Sequence, residues 1–203
     1  METRVIVLRH ATSAAPERIL GHETDLSLGP QGVKQAEALA LHLETLGPKA
    51  LYCSGMRRAM ETAAPIAAVC QLEPRVVTEL HERKMGSLSG KPRVNVLRDY
   101  LEVQERWMAG DIDFTNPGGE SYRQIRDRVV PAFYEVLEQS KHSFAVVVTH
   151  GLVIRVLLTT ILDALTPRDL DKIGIDCTAM NDLLWDGRKF RILALNQRAP
   201  GVH

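Results

Sequence analysis

The chain has 203 residues, of which 45% are hydrophobic and 25% charged, with 25 Lys plus Arg set against 25 Asp plus Glu. That length suits one domain, and zero formal net charge argues against a nucleic-acid or membrane-surface binder, whose affinity would come from a basic excess. No apolar run reaches the roughly 18 residues that cross a bilayer, and three cysteines without C-x-x-C spacing outline neither a disulfide framework nor a zinc knuckle. The composition is that of a soluble, cytoplasmic protein. Residues 4–8, Arg-Val-Ile-Val-Leu, read as a strand buried on both faces and are too brief for a signal peptide. A helix is expected over 30–46, with Val33, Ala36, Leu39, Ala40, Leu43 and Leu46 as its apolar stripe and Gly47-Pro48 as its stop. Residues 49–53 form a second strand and 55–70 an Ala-rich helix. Residues 91–116 are mixed and charged, broken by Pro92 and Asn116-Pro117, and Gly118-Gly119 opens an amphipathic helix over about 120–140. Phe144 to Thr149 is the clearest strand and runs through His150-Gly151 into an apolar helix, Leu152–Leu162. Residues 179–185 and 189–195 form a closing pair joined at Asp186-Gly187, a hairpin signal. This β-α-β-α, then β-α-β-β order predicts an α/β fold with helices flanking a mostly parallel sheet.

In such sheets a ligand sits outside the carboxyl ends of the strands. Two histidines fall there: His10, preceded by Arg9, after the first strand, and His150 after the Val-rich strand. Arg58 lies at the turn from the second strand into its helix, and only one of Arg57 and Arg58 is expected to face inward. If these strands are neighbours, two imidazoles and a guanidinium meet beside the free N–H groups of the helix that starts near Gly151, a seat for an oxyanion. Each residue alone has a blander explanation, as a structural histidine or a solvated arginine; the combination raises the prior. His22, His42, His142 and His203 show no partner pattern and are assigned to the surface, and Cys53 and Cys177 to the core.

The motifs resemble those of the histidine phosphatase (phosphoglycerate mutase-like) superfamily. Leu8-Arg9-His10-Ala11-Thr12-Ser13 is similar to its Arg-His-Gly-x-Thr opening. Asp25-Leu26-Ser27-Leu28, with Gly32 and Gln35-Ala36, resembles the next segment. Ser54, Arg58, Ala59, Thr62 and Ala63 match Ser-x-x-x-Arg-Ala-x-x-Thr-Ala. Leu80, Glu82 and Gly86 match the acid segment, and Pro117-Gly118-Gly119-Glu120-Ser121 and Thr149-His150-Gly151 complete a series in family order from about residue 4 to about 160. The resemblance implies a three-layer α/β/α sandwich with a mostly parallel central sheet and a helical lid over 91–116. Residues 1–203 then form one domain, with 198–203 a disordered tail. It implies His10 as nucleophile, with Arg9, Ser13, Arg58, His150 and Gly151 binding the phosphoryl group and Glu82 as proton donor, so that Arg9, His10, Arg58, Glu82 and His150 are catalytic. A neutral, oriented imidazole and pre-placed positive charge suit that chemistry, and close to a dianionic phosphoryl group the acid form of a glutamate is favoured. No metal or other cofactor is required, and the partner is a small phosphorylated metabolite.

Three positions depart from the family pattern. Ala11 replaces a glycine, Ser13 a threonine, and Pro16 stands where many members have an asparagine that grips phosphate, so a weaker or rearranged phosphate grip is expected. The stretch Glu82-Arg83-Lys84-Met85-Gly86 and Arg128-Val129-Val130-Pro131 have a mutase flavour. The short lid, Met85 in place of a tyrosine, and the scattered Arg93, Arg98 and Arg106 favour a phosphatase. Further alternatives are a metal-dependent hydrolase using His10, His81, Glu82 and His150, although no H-E-x-x-H spacing occurs, and a non-catalytic binder of phosphorylated ligands. In the lid, Leu97, Tyr100, Leu101, Trp107 and Met108 either face the pocket, with Trp107 stacking on a substrate ring, or pack the helix onto the domain; the second is the base expectation. Lys84 or Arg83 meets a substrate carboxylate or is a solvated loop charge.

Overall fold

The computed structural model describes residues 2–200. Strands β1 (Thr3–Arg9), β2 (Ala50–Cys53), β3 (Pro74–Val76), β4 (Phe144–Thr149), β5 (Met180–Trp185) and β6 (Phe190–Gln197) form one sheet in the order β3-β2-β4-β1-β5-β6. The β1–β4, β2–β4 and β2–β3 pairs are parallel, while β5 and β6 close the other edge antiparallel. Strand β3 has no signal in the sequence because its three residues, Pro-Arg-Val, are exposed and edge-paired.

Burial of both sheet faces accounts for the unbroken apolar runs. Side chains alternate across a strand, so Val5, Val7, Ala145 and Val147 face one core and Ile6, Leu8, Val146 and Val148 the other. Helices α1 (Pro30–Leu46) and α2 (Arg57–Cys70) cover the second face; α4 (Tyr122–Gln139) and α5 (Gly151–Ile161) cover the first. The result is the three-layer α/β/α arrangement. Helix α1 starts on Pro30 and stops at Gly47, left-handed at φ 68°, whose N–H bonds the carbonyls of Leu43 and Glu44, the pattern expected of a proline start and a glycine stop. Its stripe is narrower than expected, since Val33 is exposed. Helix α4 opens on a capping box: the Gln124 N–H donates to the Ser121 hydroxyl and the Ser121 N–H to the Gln124 side chain.

Residues 91–116 contain a 16-residue helix, α3 (Arg93–Met108), with two working faces. Val96, Val103 and Trp107 pack in the first core. Leu101, Gln104 and Glu105 line a cavity, and Tyr100 and Met108 do both, packing against the core and lining the cavity. Trp107 is fully buried and its indole N–H donates to the Phe114 carbonyl, so it packs the helix down and does not reach a substrate. A 3-10 turn over Pro167–Lys172, capped by a Thr166–Asp169 box, packs beside α3 and α5. The Asp186-Gly187 hairpin is as expected, with Asp186 accepting from the N–H groups of Arg188 and Lys189. Of the expected disordered tail, Arg198 pairs with Asp176 and Ala199 is buried in the second core. Residues 201–203 lie outside the described residues. Among the described residues no helix is long and apolar enough to cross a membrane.

The start of α1 presses on the loop after β1. Gln35 accepts from the Thr12 N–H and hydroxyl, and a Cβ added at Gly32 would lie 2.0 Å from the Thr12 carbonyl oxygen. Backbone cannot yield as a flexible side chain does, so Gly32→Ala is expected to lower stability in urea titration by about 1–3 kcal/mol. Wild-type stability in that variant would show that the contact is slack.

Candidate active site

Register brings the site together. Arg9 pairs with Thr149 and Cys53 with Val148, so β1, β4 and β2 release His10, His150 and Ser54 side by side at their carboxyl ends. The N–H groups of His10 and Ser54 donate to the Thr149 and Val148 carbonyls. The two imidazole centroids lie 5.1 Å apart. Arg58 and Thr62, four residues apart on α2, share a face. Thr62 uses that position to donate to the Arg58 carbonyl and to accept from the Ala11 N–H, tying the helix to the loop after β1. Asp25 accepts from the Arg57 N–H at the start of α2; Arg57 itself is exposed, and Arg58 alone turns inward.

His10 is held in one tautomer. Its Nδ1 lies 2.7 Å from the Ala11 carbonyl, which only accepts, so Nδ1 carries the proton; Arg58 Nε, which only donates, lies 3.2 Å from Nε2. The ring is therefore neutral with its Nε2 lone pair directed at Arg58. Burial pushes the His10 pKa well below its usual value, and the charges of Arg58 and Arg9 push it further. His150 is lowered well below its usual value by burial first, then by Arg58 and His10. Its Nε2 lies 2.9 Å from the Ser54 hydroxyl. Arg58 is fully buried and also donates to the Thr24 carbonyl, while Arg9 Nη1 donates to the Ile175 carbonyl at 2.9 Å. Three buried polar atoms in this cluster have no partner among the described residues: Arg9 Nε, Arg58 Nη2 and His150 Nδ1. Such atoms are costly unless something polar meets them. Gly151, the first residue of α5, adds the open N–H groups of a helix start, and a Cβ there would sit 3.4 Å from Arg9 Nε.

Glu82 faces the same cavity, which measures about 530 Å³ and is also lined by Arg9, His10, Ser13 and Gly151. Its Oε1 accepts from the Arg83 N–H at 2.9 Å. The segment that carries it is pinned from beneath. Arg83 is 1% exposed and donates to the Glu120 carbonyl, Thr115 Oγ1 and Asn116 Oδ1, with its guanidinium over the Trp107 ring; it is structural and meets no ligand. Lys84 is exposed, and its N–H donates to the Glu120 carboxylate, which also pairs with Arg128. That network gives the Gly-Gly-Glu-Ser motif its purpose.

Sequence reasoning missed several members. Glu23 accepts from the Met85 and Gly86 N–H groups; burial alone would raise its carboxyl, and these bonds hold it below its usual range. His22, assigned to surface or loop roles, is exposed as expected, and its ring lies beside that of His81, centroids 4.2 Å apart and tilted by 46°. Cys177, assigned to the core, lines the cavity, and so does Arg155. Cys53 is buried as expected, and all three cysteines are free. Ala11 accommodates its Cβ without strain, packed with Leu28 and Ala36. Of the four residues considered for a metal, His81 spends its Nδ1 on the Glu82 carbonyl. Among the described residues no group of three or more His, Cys, Asp or Glu side chains is placed to hold a metal ion.

Strands β1 and β4 and the first turn of α2 bring two histidines and two arginines to one end of the sheet, an α/β arrangement suited to an oxyanion, and the chain belongs to the histidine phosphatase superfamily (branch 1), whose model matches residues 5–198. Among its relatives is the metal-independent phosphoserine phosphatase of Arabidopsis thaliana, 31% identical over 191 residues, spanning 90% of this chain and 79% of that protein. A probable phosphoglycerate mutase of Citrobacter koseri is 31% identical over 164 residues, 78% of this chain and 74% of that one. The solved structure of mycobacterial glucosyl-3-phosphoglycerate phosphatase with VO3 superposes with a TM-score of 0.84 at 26% identity, covering 96% of this chain and 98% of that one.

The two buried rings make stability depend on pH. They stay neutral in the folded chain while an unfolded chain takes up protons on them below about pH 6.5. The unfolded state then binds more protons, so stability is level above that pH and falls below it, by up to about 1.4 kcal/mol per pH unit for each ring. Urea midpoints at pH 7.5 and 5.5 are expected to show this drop, with a smaller one in His150→Gln; a midpoint that does not move would contradict the neutral assignment.

Proposed function

We propose that this chain is a metal-independent phosphomonoesterase that passes the phosphoryl group of a small metabolite through His10, working as one domain in a cytoplasmic setting. One observation carries the reading: a neutral imidazole whose Nε2 lone pair is held by the Arg58 Nε–H, beside three buried polar atoms on Arg9, Arg58 and His150 that have no partner among the described residues. An incoming phosphoryl group supplies oxygens to Arg9, Arg58 and His150, drawing the Arg58 donor from Nε2 and freeing that lone pair, with the Gly151 N–H and Ser13 flanking it. With a proton on His150 Nδ1, the Ser54 hydroxyl donates to Nε2 and leaves Nδ1–H to donate to the phosphoryl group.

In the first step His10 Nε2 forms a bond to phosphorus as the ester P–O bond breaks. The Ala11 carbonyl, bonded to Nδ1–H, stabilises the positive charge that grows on the ring, and the carboxylic acid of Glu82 hands its proton to the leaving alkoxide. In the second step the Glu82 carboxylate takes a proton from water, whose oxygen bonds phosphorus as the P–Nε2 bond breaks. Phosphate leaves, with His10 neutral and Glu82 protonated again. Positive charge fixed in advance around the transferring group supplies much of the acceleration. Transfer to a second alcohol requires water to be kept out, and Leu101, on the cavity face of α3, is 43% exposed, which favours hydrolysis.

Aryl phosphate hydrolysis in the presence of chelator is the direct test. His10→Ala is expected to lose about 10³-fold or more while keeping its circular dichroism, and rapid acid quench of the wild type should trap an acid-labile phosphohistidine. Activity near wild type in the variant would overturn the mechanism. Glu82→Gln should slow alkyl phosphates about 10²- to 10⁴-fold and 4-nitrophenyl phosphate much less, because a good leaving group needs little protonation; equal losses would remove Glu82 from the acid role.

A further inference from the structure

Arg155 belongs to none of the motifs above, yet it lines the same cavity. Two independent features of the chain fix its position. On α5 it lies four residues after Gly151, on the same helix face and one turn further on, so the two are about 5–6 Å apart at Cβ positions. Its Nε donates to the Ile173 carbonyl at 2.9 Å, while Arg9 hangs from the Ile175 carbonyl. The two acceptors are two residues apart, so one short segment, 173–175, holds both guanidiniums against the same cavity, Arg9 at the phosphoryl seat and Arg155 one helix turn further out.

The outer guanidinium is half-buried and held still. Apart from the Ile173 carbonyl, its recorded bond is a 3.5 Å contact from Nη1 to the Gln104 side chain, so both bonds go to neutral oxygens and leave donors of a five-donor group open. Glu105 and Asp171 also line the cavity, but both are exposed, where water and salt screen their charge. Arg18 and Arg93, on another side, are exposed as well, and Arg93 lies over the Tyr100 ring. Arg155 is the cation of the outer cavity with the least solvent and the most fixed geometry.

We propose that Arg155 is a specificity-determining residue: it binds a second anionic group of the substrate, so that the favoured substrates are phosphomonoesters carrying a carboxylate or a second phosphate about three carbons from the ester oxygen. The proposal rests on the phosphatase reading of the site. Its discriminating power should match a charge-assisted hydrogen bond, roughly 10- to 100-fold between substrates with and without the group.

Three probes share a three-carbon skeleton and an alkyl leaving group: glycerol 3-phosphate, 3-phosphoglycerate and glycerol 1,3-bisphosphate. The wild type is expected to favour at least one of the two dianionic-plus-anion probes over glycerol 3-phosphate by 10-fold or more in kcat/KM, and which one it favours tells carboxylate from phosphate. Arg155→Gln, checked for folding by circular dichroism, is expected to bring that ratio to within about threefold. A brace that merely ties α5 to residue 173 would alter all three rates together and leave the ratio intact. No preference in the wild type, or a ratio preserved in the variant, overturns the proposal. Should Arg155→Gln fail to fold, the Nε–H resonance of Arg155 in ¹⁵N-arginine-labelled His10→Ala protein decides: it should shift with the favoured probe and not with glycerol 3-phosphate, and equal responses overturn the proposal. Because that measurement needs no turnover, and 4-nitrophenyl phosphate reports turnover without a second anion, failure of the subsite and failure of the phosphatase reading give different results.

Discussion

The bond from Arg58 Nε to His10 Nε2, made inside the protein between a permanent cation and a neutral ring, is the contact on which the rest of the structure turns. A guanidinium with no exposed surface is costly to bury unless its donors are met and its charge is answered. One donor goes to His10 and another to the Thr24 carbonyl, while Nη2 has no partner among the described residues. The nearest negative charges, on Glu82 and Asp25, act at longer range. The fold tolerates this because Thr62 and Gln35 tie the loop after β1 to α2 and α1, and Asp25 holds the first N–H of α2, so the helix start is fixed against that loop. Burial first, and then this same cation together with Arg9, keeps His10 neutral.

Opposite lies a second buried arginine with a different task. Arg83 satisfies its donors entirely with uncharged groups and a ring face, and the carboxylate of Glu120 goes to Arg128 and to the Lys84 N–H. The backbone around Glu82 is thereby anchored on both sides by bonds that do not involve its carboxylate. The carboxylate itself accepts from the Arg83 N–H and faces the cavity. Rigid surroundings and a carboxyl turned to the cavity are what the acid–base role proposed for Glu82 requires.

Much of this is legible in the sequence. Continuous apolar runs at β1 and β4 announce strands buried on both faces, Arg9, His10 and His150 fall at their carboxyl ends, and Arg58 follows in the first turn of α2, so the parallel register brings them together. Residues whose roles depend on contacts distant in sequence were not legible. For Arg83 the sequence leaves a substrate contact and a solvated loop charge open, and it is neither, because nothing local reveals that Thr115 and Asn116 fold back over it; Trp107 packs the helix down, which is the base expectation for it. Arg155 was overlooked for the converse reason: in an otherwise apolar helix it reads as a surface charge until the 173–175 segment lies alongside. Strand β3, exposed and three residues long, has no periodicity to detect.

Helix α3 meets the core through Val96, Tyr100, Val103 and Trp107 and the cavity through Leu101, Gln104, Glu105 and Met108. Tyr100 and Met108 serve both sides, but Leu101, Gln104 and Glu105 belong to the cavity side alone. Exchanging those three reshapes the wall of the outer cavity while Val96, Val103 and Trp107 stay seated in the core. A lineage carrying this scaffold can therefore vary what its cavity admits at a few positions of one helix, with the core packing inherited unchanged.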